Sequence, residues 1–320
     1  MIKKIDLTKV LLFALLFVLS ASMYAVGKEP AKHSRLELAD PFVLLEGGVY
    51  YAYGTHSSDG IEVFSSDDLK TWTFRGLALN KANTKPQKNF WAPEILKKGD
   101  TYYMYFSGEE HLWVATAKSP LGHFVQANPK PLLEHGSIDG SPFVDDDGQV
   151  YFSFVYFNHG NEIRIAKMAD DLLSLRLETM QTCCKVSQPW EMDVKFPNAK
   201  VNEGPCILKH KDLYYLTYSA NDFRSQNYGV GVALSDHLLS GWQKVSYNPI
   251  LQNAFGYKGT GHHTMFVDKH GKLWMMFHAH KSETEIHPRA SYFVRINFKK
   301  QKDKPDKLVV DDKVVIPVCR

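Results

Sequence analysis

The sequence predicts an all-β protein, a five-bladed β-propeller whose four-stranded antiparallel blades surround a central channel. Two repeated features carry this prediction. A hairpin pattern of short apolar strand, polar turn and aromatic-rich strand occurs five times, starting at Pro41, Pro93, Pro142, Pro205 and Thr264. A second strand pair follows each hairpin, beginning near Gly60, His111, Glu162, Gly229 and Ala290. Four antiparallel strands repeated radially form a propeller blade.

The individual strands are predicted from residue type and from turn residues. Aromatic residues make up 13% of the chain, and aromatic side chains fit the half-buried pleated surface of a sheet. Gly or Asp stands at the turn of each hairpin, as in Gly47-Gly48 and Gly99-Asp100. A β-sandwich would not explain five similar units. We expect the segment from Lys307 to Val318 to supply a late strand or to close the ring.

The first 27 residues have the pattern of an export signal. Lys3, Lys4 and Lys9 precede an unbroken apolar run at 10–19, and small residues around Ala25 offer a cleavage site. A membrane span needs about 20 apolar residues, so the run predicts cleavage and export to the periplasm or medium, without stable membrane insertion. A retained N-terminal anchor is the alternative. Residues 28–320 are then one propeller domain.

Composition excludes several other classes of protein. The formal net charge of +3 is small and evenly spread, which argues against a nucleic-acid partner. The four cysteines make neither a disulfide framework nor a Cys/His zinc spacing.

Three acidic residues stand at the starts of three hairpins: Asp40 before Pro41, Asp139 before Gly140 and Glu203 before Gly204. Acidic residues at turns are common, and each one alone has a structural explanation. In a propeller, however, the first strand of every blade lines the central channel. Residues at equivalent strand starts therefore meet at one mouth of that channel. Clustered carboxylates repel each other and shift pKa values, which marks a candidate active site.

Paired carboxylates are the groups that cleave glycosidic bonds. One donates a proton to the leaving oxygen, and the other activates water or attacks the sugar directly. A third nearby carboxylate raises the pKa of the acid by repulsion. The chain has no Gly-x-Ser-x-Gly elbow, no phosphate-binding Gly-rich loop and no His-Glu-x-x-His motif. We therefore predict a glycosidase that needs no cofactor for its chemistry and has a carbohydrate as its partner.

At these residues the sequence resembles glycoside hydrolase family 43, whose members are five-bladed propellers. The matches run from Ala39-Asp40-Pro41 to the stretch ending at Arg289. The resemblance implies an inverting mechanism in which Asp40 is the general base, Glu203 the general acid, and Asp139 the residue that tunes and orients the acid. Inverting carboxylates stand about 6.5–9.5 Å apart, and we expect that spacing between Asp40 and Glu203.

The resemblance also implies residues that hold the sugar. Trp91 corresponds to the aromatic wall of the sugar subsite, Arg289 to an arginine that reaches into the pocket, and His262 to a histidine that in many members holds calcium or water. His263 is expected to line the pocket beside it. A single His is a poor calcium site, so waters would supply the other ligands of a structural Ca²⁺. The alternatives are a core Trp, a surface ion pair for the Arg, and histidines bonded to the backbone.

The expected substrate is a terminal pentose on a plant-type glycan. The resemblance favours an α-L-arabinofuranosidase, then a β-xylosidase, then an exo-galactosidase. A non-catalytic carbohydrate-binding propeller is the rival from another class, but it has no need for three acids. A phosphorylase would need a cationic phosphate site, for which Arg289 alone is evident. Family 32 fructosidases share the acids, but their Asn-Asp-Pro-Asn and Arg-Asp-Pro signatures are missing.

Overall fold

A computed structural model describes residues 34–320, so the predicted signal segment 1–27 lies outside the described residues. The described chain is folded into five antiparallel sheets, each a propeller blade, which confirms the predicted five-bladed β-propeller. In every blade the four main strands follow one another in chain order from the channel outwards; β1 and β23 add to the outer edge of blade 1, and β18 pairs with β16 in blade 4. The first strands of neighbouring blades contact each other all the way around the ring.

Blade 1 joins the two ends of the described chain. Its strands are β1 (Ser34–Arg35), β2 (Ala39–Glu46), β3 (Val49–Thr55), β4 (Gly60–Ser66) and β5 (Thr71–Asn80). The turn between β2 and β3 is Gly47-Gly48, and both residues have positive φ, as a two-residue hairpin turn requires.

Blades 2 and 3 each have four strands. Blade 2 consists of β6 (Trp91–Lys98), β7 (Thr101–Gly108), β8 (His111–Ala117) and β9 (Val125–Gln126). Blade 3 consists of β10 (Ser137–Val144), β11 (Val150–Phe157), β12 (Asn161–Met168) and β13 (Leu175–Cys184).

Blades 4 and 5 complete the ring. Blade 4 consists of β14 (Asn202–His210), β15 (Leu213–Ala220), β16 (Gly229–Ser235), β17 (Gln243–Lys244) and β18 (Leu251–Gln252). Blade 5 consists of β19 (Gly261–Val267), β20 (Leu273–Ala279), β21 (Ala290–Gln301) and β22 (Lys304–Val315). A last strand, β23 (Val318–Cys319), follows, and the 3₁₀ helices Lys81–Asn83, Pro189–Glu191 and Ala254–Gly256 lie in loops.

The ring is closed by strand pairing and by hydrophobic packing. Strand β23 pairs in parallel with β5 and antiparallel with β1, so the C-terminal end adds to blade 1. The Trp72 ring of blade 1 stacks on Phe293 of blade 5, with centroids 5.8 Å apart. The expectation that the segment after Lys307 supplies a late strand is thus met by β22, and β23 closes the ring.

The hydrophobic core is divided among the five interfaces between blades. One cluster of buried residues lies at each interface; Tyr53 and Ile61 of blade 1, for example, belong to one cluster with Met104 and Phe106 of blade 2. Burying one such side chain contributes about 1.5–3 kcal/mol. All four cysteines are free thiols. Within residues 34–320, no helix is long and apolar enough to cross a membrane.

Candidate active site

The first strand of every blade begins with the same backbone irregularity. Its register against the second strand shifts, and one residue has a positive φ: Asp40 (47°), Ala92 (43°), Asp139 (56°), Gly204 (54°) and His262 (40°). Positive φ is strained for residues other than glycine, and such strain clusters at functional sites. A bulge also re-aims side chains, and Asp40, Asp139 and His262 line a pocket at the mouth of the channel.

A hydrogen bond from the preceding blade holds four of these five bulges. The N–H of Ala92 donates to Thr55 Oγ1 (3.0 Å), that of Asp139 to Ser107 Oγ (3.0 Å), and that of His262 to Ser219 Oγ (2.8 Å). The N–H of Asp40 donates to His278 Nδ1 (3.1 Å). The acceptors are equivalent residues of the second strands, so the strained backbone is fixed blade by blade.

Glu203 does not occupy the position that the sequence pattern assigned to it. Asp40 and Asp139 have the positive φ of their bulges, but in blade 4 that place belongs to Gly204. Glu203 pairs with Ser219 on the second strand, just as Trp91 pairs with Ser107 in blade 2. Glu203 therefore stands one residue before the bulge position that Asp40 and Asp139 occupy in their blades. The three acids are therefore not equivalent positions, and the prediction of equivalence was wrong by one residue for Glu203.

The three acids nevertheless line one pocket of about 710 Å³ at the mouth of the channel. All five blades contribute to its wall: Thr55, Trp91, Asn161, Phe223 and Pro288 come from blades 1 to 5 in order. Pockets of roughly 300–1,000 Å³ are typical of small-molecule sites. Of the remaining predicted site residues, Trp91, Arg289 and His262 also line this pocket.

Asp40 is held as a carboxylate. It is buried, and burial alone would raise its pKa, but Arg289 Nη1 donates to Asp40 Oδ1 at 3.0 Å. His262 Nδ1 lies 3.3 Å from the same oxygen, and His278 Nδ1 lies 3.4 Å away. These groups, Arg289 first, hold the pKa of Asp40 well below its usual range. Asp40 is therefore ionised and able to accept a proton.

Glu203 has the opposite electrostatic character. Burial raises the pKa of its carboxyl group to about 7, and the charge of Asp40 acts in the same direction. The Tyr228 hydroxyl donates to Glu203 Oε1 at 2.8 Å, and Asn161 Nδ2 donates to Oε2 at 3.2 Å; both hydrogen bonds oppose that rise. Glu203 thus holds a proton far closer to neutral pH than a solvated Glu does.

Asp139 is buried beside Glu203, and the two carboxyl groups titrate as a pair. Burial and repulsion by Glu203 raise the pKa of Asp139 well above its ordinary value. For Glu203 the larger cause is its own burial, and not the repulsion by Asp139 that the sequence predicted. Asp139 Oδ2 also accepts the N–H of Gly204 at 3.2 Å, so it holds the backbone next to Glu203.

His263 does not line the sugar pocket, and that prediction is corrected. The residue is 2% exposed and borders a small cavity beneath the pocket, along the channel axis. Its Nε2 lies 2.7 Å from Thr217 Oγ1, and Nδ1 has no partner. Because His262 takes up the bulge, the next residue lies on the channel side of the strand.

The residues around His262 are a poor fit for calcium. No group of three or more His, Cys, Asp or Glu side chains within residues 34–320 is arranged to hold a metal ion. The oxygens nearest to His262, on Asp40 and Asp139, already accept from Arg289 and Gly204. Calcium takes six to eight oxygen ligands, and the axial cavity of about 10 Å³ has room for roughly one water. We assign no catalytic step to a metal.

Several residues of the site were not predicted from the sequence. Tyr228 and Asn161 bond to Glu203, His278 bonds to the backbone of Asp40, and Phe223 forms part of the pocket wall. They come from second and third strands or from loops, where no repeated motif marks them. Glu94, the last residue of the Trp-Ala-Pro-Glu motif, also borders the small cavity on the channel axis. Burial raises the pKa of its carboxyl group to about 8.

Comparison with known proteins identifies the family. The sequence profile of glycosyl hydrolases family 43 matches residues 34–301, which is most of the chain. The chain belongs to glycoside hydrolase family 43. It is accordingly an inverting hydrolase of O-glycosyl bonds.

Individual relatives differ in the sugars that their names give. A β-D-galactofuranosidase of Aspergillus niger is 26% identical over 75% of this chain and 73% of its own. A xylosidase/arabinosidase of Humicola insolens is 25% identical over 75% and 87%. A crystal structure described as an endo-1,4-β-xylanase of Bacteroides thetaiotaomicron is 40% identical, with a TM-score of 0.86 over 91% of this chain and 100% of that one.

Proposed function

We propose that this family 43 hydrolase removes a terminal pentose from a plant-type oligo- or polysaccharide, as an α-L-arabinofuranosidase first and a β-xylosidase second. The observation that carries the proposal is the placement of Asp40, Asp139 and Glu203 in one pocket with walls from all five blades. A pocket lined by all five blades can surround the end of a glycan, which supports release of a terminal sugar.

In the proposed mechanism Glu203 is the general acid and Asp40 the general base. The proton of Glu203 passes to the glycosidic oxygen as the bond from that oxygen to the anomeric carbon breaks. A water on the opposite face of the sugar loses a proton to Asp40 and bonds to the anomeric carbon, which inverts its configuration. The opposed pKa shifts of Glu203 and Asp40 support these roles, because one group retains a proton and the other accepts one.

Asp139 is proposed to position the acid and to influence its proton. Its hydrogen bond to the Gly204 N–H supports the positioning role. Trp91 and Phe223 supply aromatic surface to the pocket, which suits the apolar face of a sugar ring. Arg289, bonded to Asp40, keeps the base charged and lines the pocket that would hold the sugar.

The candidate substrates are supported by the names of the relatives. The Humicola relative is named for both xylose and arabinose, and the Bacteroides structure is named an endo-1,4-β-xylanase. A xylose-releasing activity is therefore the second candidate. The Aspergillus relative is named for galactofuranose, which keeps an exo-galactosidase as the third.

Purified protein should be tested on nitrophenyl α-L-arabinofuranoside, β-D-xylopyranoside and galactosides, with and without phosphate. We expect hydrolysis of a pentoside that does not depend on phosphate, and we expect Asp40→Asn to abolish it. A folded protein that binds oligosaccharides but hydrolyses none of these substrates would indicate the non-catalytic binding module. Product formation only with phosphate would indicate a phosphorylase.

We also propose that the protein is exported after removal of about the first 27 residues. The basic start and the short apolar run at 10–19 support this. N-terminal sequencing of protein recovered from the periplasm or medium tests it. A sequence starting at Met1, or recovery from the membrane fraction, would contradict it.

A further inference from the structure

A second cavity, of about 370 Å³, lies beside the active-site pocket and shares one residue with it. Asn161 lines both, and the rest of the second lining includes His159, Lys185, Met192 and Lys200. Its volume is within the range of small-molecule sites. It lies between the β11–β12 turn of blade 3 and the loop that leads into blade 4. We call it the side cavity.

The side cavity is on the leaving-group side of the reaction. This step rests on the proposed role of Glu203 as the acid that protonates the leaving oxygen. Asn161 Nδ2 donates to Glu203 Oε2 at 3.2 Å, so the shared residue touches the proposed acid. Asp40, the proposed base, does not border the side cavity. Because Asn161 lines both the pocket and the side cavity, the side cavity is placed to receive the part of a glycan that extends past Glu203.

Two lysines stand on fixed backbone at the side cavity. The carbonyl of Lys200 accepts the N–H of Asn161 at 2.8 Å, and Gly160 packs so closely there that a Cβ on it would meet that carbonyl at 2.5 Å. The carbonyl of Lys185 accepts from Lys244 Nζ at 2.7 Å, and Lys244 is paired with the buried Glu191. The backbone of both lysines is therefore fixed by hydrogen bonds, while both lysine side chains are exposed.

The positive charge of these lysines is not neutralised by the protein. Neither Lys185 nor Lys200 forms an ion pair with any residue of 34–320. The single carboxylate of the lining, Glu162, is already bonded to Arg164 Nε at 2.8 Å and lies 3.4 Å from Asn158 Nδ2. Met192 adds an apolar surface at the rim. The side cavity thus combines unpaired cations with an apolar face.

We propose that the side cavity is a leaving-group subsite for a sugar that carries a carboxylate, a uronic acid, and that Lys185 and Lys200 bind that carboxylate. Lysine side chains recognise an anion as point charges, so they accept a carboxylate without requiring one fixed geometry. The substrate class of the active site is then a terminal pentose attached to, or next to, an acidic sugar.

The test compares two substrates that differ in one charge: a pentosyl-galacturonic acid disaccharide and its methyl ester. At low salt we expect the free acid to be cleaved with a KM about three- to tenfold lower, the range that one or two exposed ion pairs supply. The preference should shrink as salt is raised, because exposed charges are screened. It should be lost in the double variant Lys185→Gln/Lys200→Gln.

A matched control separates local from overall charge. Lys299→Gln/Lys300→Gln removes the same two charges from exposed positions on β21 of blade 5 and should keep the preference. Equal KM values for acid and ester in the wild type, or an unchanged preference in the Lys185/Lys200 variant, would overturn the proposal. A preference lost equally in both double variants would overturn it too, since it would then reflect net charge.

Turnover of a neutral aryl pentoside tests the proposed function separately, because that substrate places no charge in the side cavity. All variants should cleave it alike. If none does, calorimetric titration of the acid and ester disaccharides still tests the side cavity. Tighter binding of the acid that depends on Lys185 and Lys200 supports the subsite, and equal binding removes it.

Discussion

The carboxylate of Asp139 accepts the backbone N–H of Gly204 at 3.2 Å, and this bond replaces one that the other blades make differently. Elsewhere the bulge N–H is accepted by the paired residue on the second strand of the preceding blade, such as Thr55 or Ser107. At the junction of blades 3 and 4 the equivalent residue is Val155, whose side chain has no hydrogen-bond acceptor. Asp139 therefore serves as the missing acceptor, directly beside Glu203.

If Asp139 acts mainly as the acceptor for the Gly204 N–H, a hydroxyl group at position 155 should take over part of that function. We expect Asp139→Ala to lower kcat on an aryl pentoside by about 10²-fold, because Glu203 loses its fixed position. Adding Val155→Thr restores the acceptor and should recover about tenfold of that loss. The control Val155→Thr alone should stay close to wild-type activity. If the double variant is no better than Asp139→Ala, the charge of Asp139 matters rather than its hydrogen bond.

The proposed acid and base predict different responses to the leaving group. Glu203→Gln should lose about 10²–10⁴-fold in kcat on natural glycosides, but far less on a dinitrophenyl glycoside, whose leaving group needs no proton. Asp40→Asn should lose a comparable factor on both substrates, since water must be activated in each case. Steady-state kinetics on the two substrates measure this, and circular dichroism checks the fold.

NMR of the first-formed sugar provides an independent check on the same assignment. Inversion places the product in the opposite anomeric configuration to the substrate. A retained anomer, or equal losses for Glu203→Gln and Asp40→Asn on the activated substrate, would contradict the base and acid roles. The family and the propeller would be unaffected.

The repeated hairpins were enough to predict the fold, because each blade repeats the same strand pattern in the sequence. Second strand pairs were expected near His111 and Gly229, and β8 and β16 begin there. The repeat located the site residues at the strand starts, whereas Trp91 and Arg289 were predicted from the family resemblance and also line the pocket. Asp40 and Asp139 share the bulge position, so strand starts located them.

The remaining site residues depend on local backbone and on distant contacts that one sequence does not encode visibly. Gly204 takes the positive φ in blade 4, which displaces Glu203 by one residue from the repeat. His263 was predicted to line the pocket because it is next to His262, but successive side chains of a strand point to opposite faces of the sheet. Tyr228 reaches Glu203 from a segment 25 residues later in the chain.

The ion pair of Arg289 with Asp40 predicts the acidic limb of the pH profile. Burial would raise the pKa of Asp40, and Arg289 is the main group that opposes this. In Arg289→Gln the carboxyl should therefore stay protonated to higher pH, and the acidic limb of log(kcat/KM) should move upwards. The alkaline limb reflects Glu203, whose pKa is raised to about 7. An acidic limb that does not move would show that Arg289 does not control the base.

The matched control for this experiment is Arg176→Gln, which removes an arginine paired with Asp170 on the surface of blade 3. It should leave both limbs in place. The comparison uses the position of each limb and not the height of the profile, because Arg289 also faces the pocket and its loss weakens substrate binding.

Glu94 predicts a pH-dependent cost to stability that is separate from catalysis. Burial raises the pKa of its carboxyl group from 4.5 to about 8, while a hydrogen bond with Ser141 acts in the opposite direction. Between these pH values the folded protein holds a proton that the unfolded chain releases, so the free energy of unfolding falls as pH rises through this range.

Glu94→Gln mimics the protonated form and removes that cost. We expect its Tm to match the wild type near pH 4 and to exceed it by at least about 2 °C at pH 8. Glu178→Gln removes an exposed carboxylate on β13 and should show no such trend. Calorimetric scans of the three proteins from pH 4 to pH 9 decide the matter, and a Tm difference that is constant across that range would rule out a proton on Glu94 as the cause.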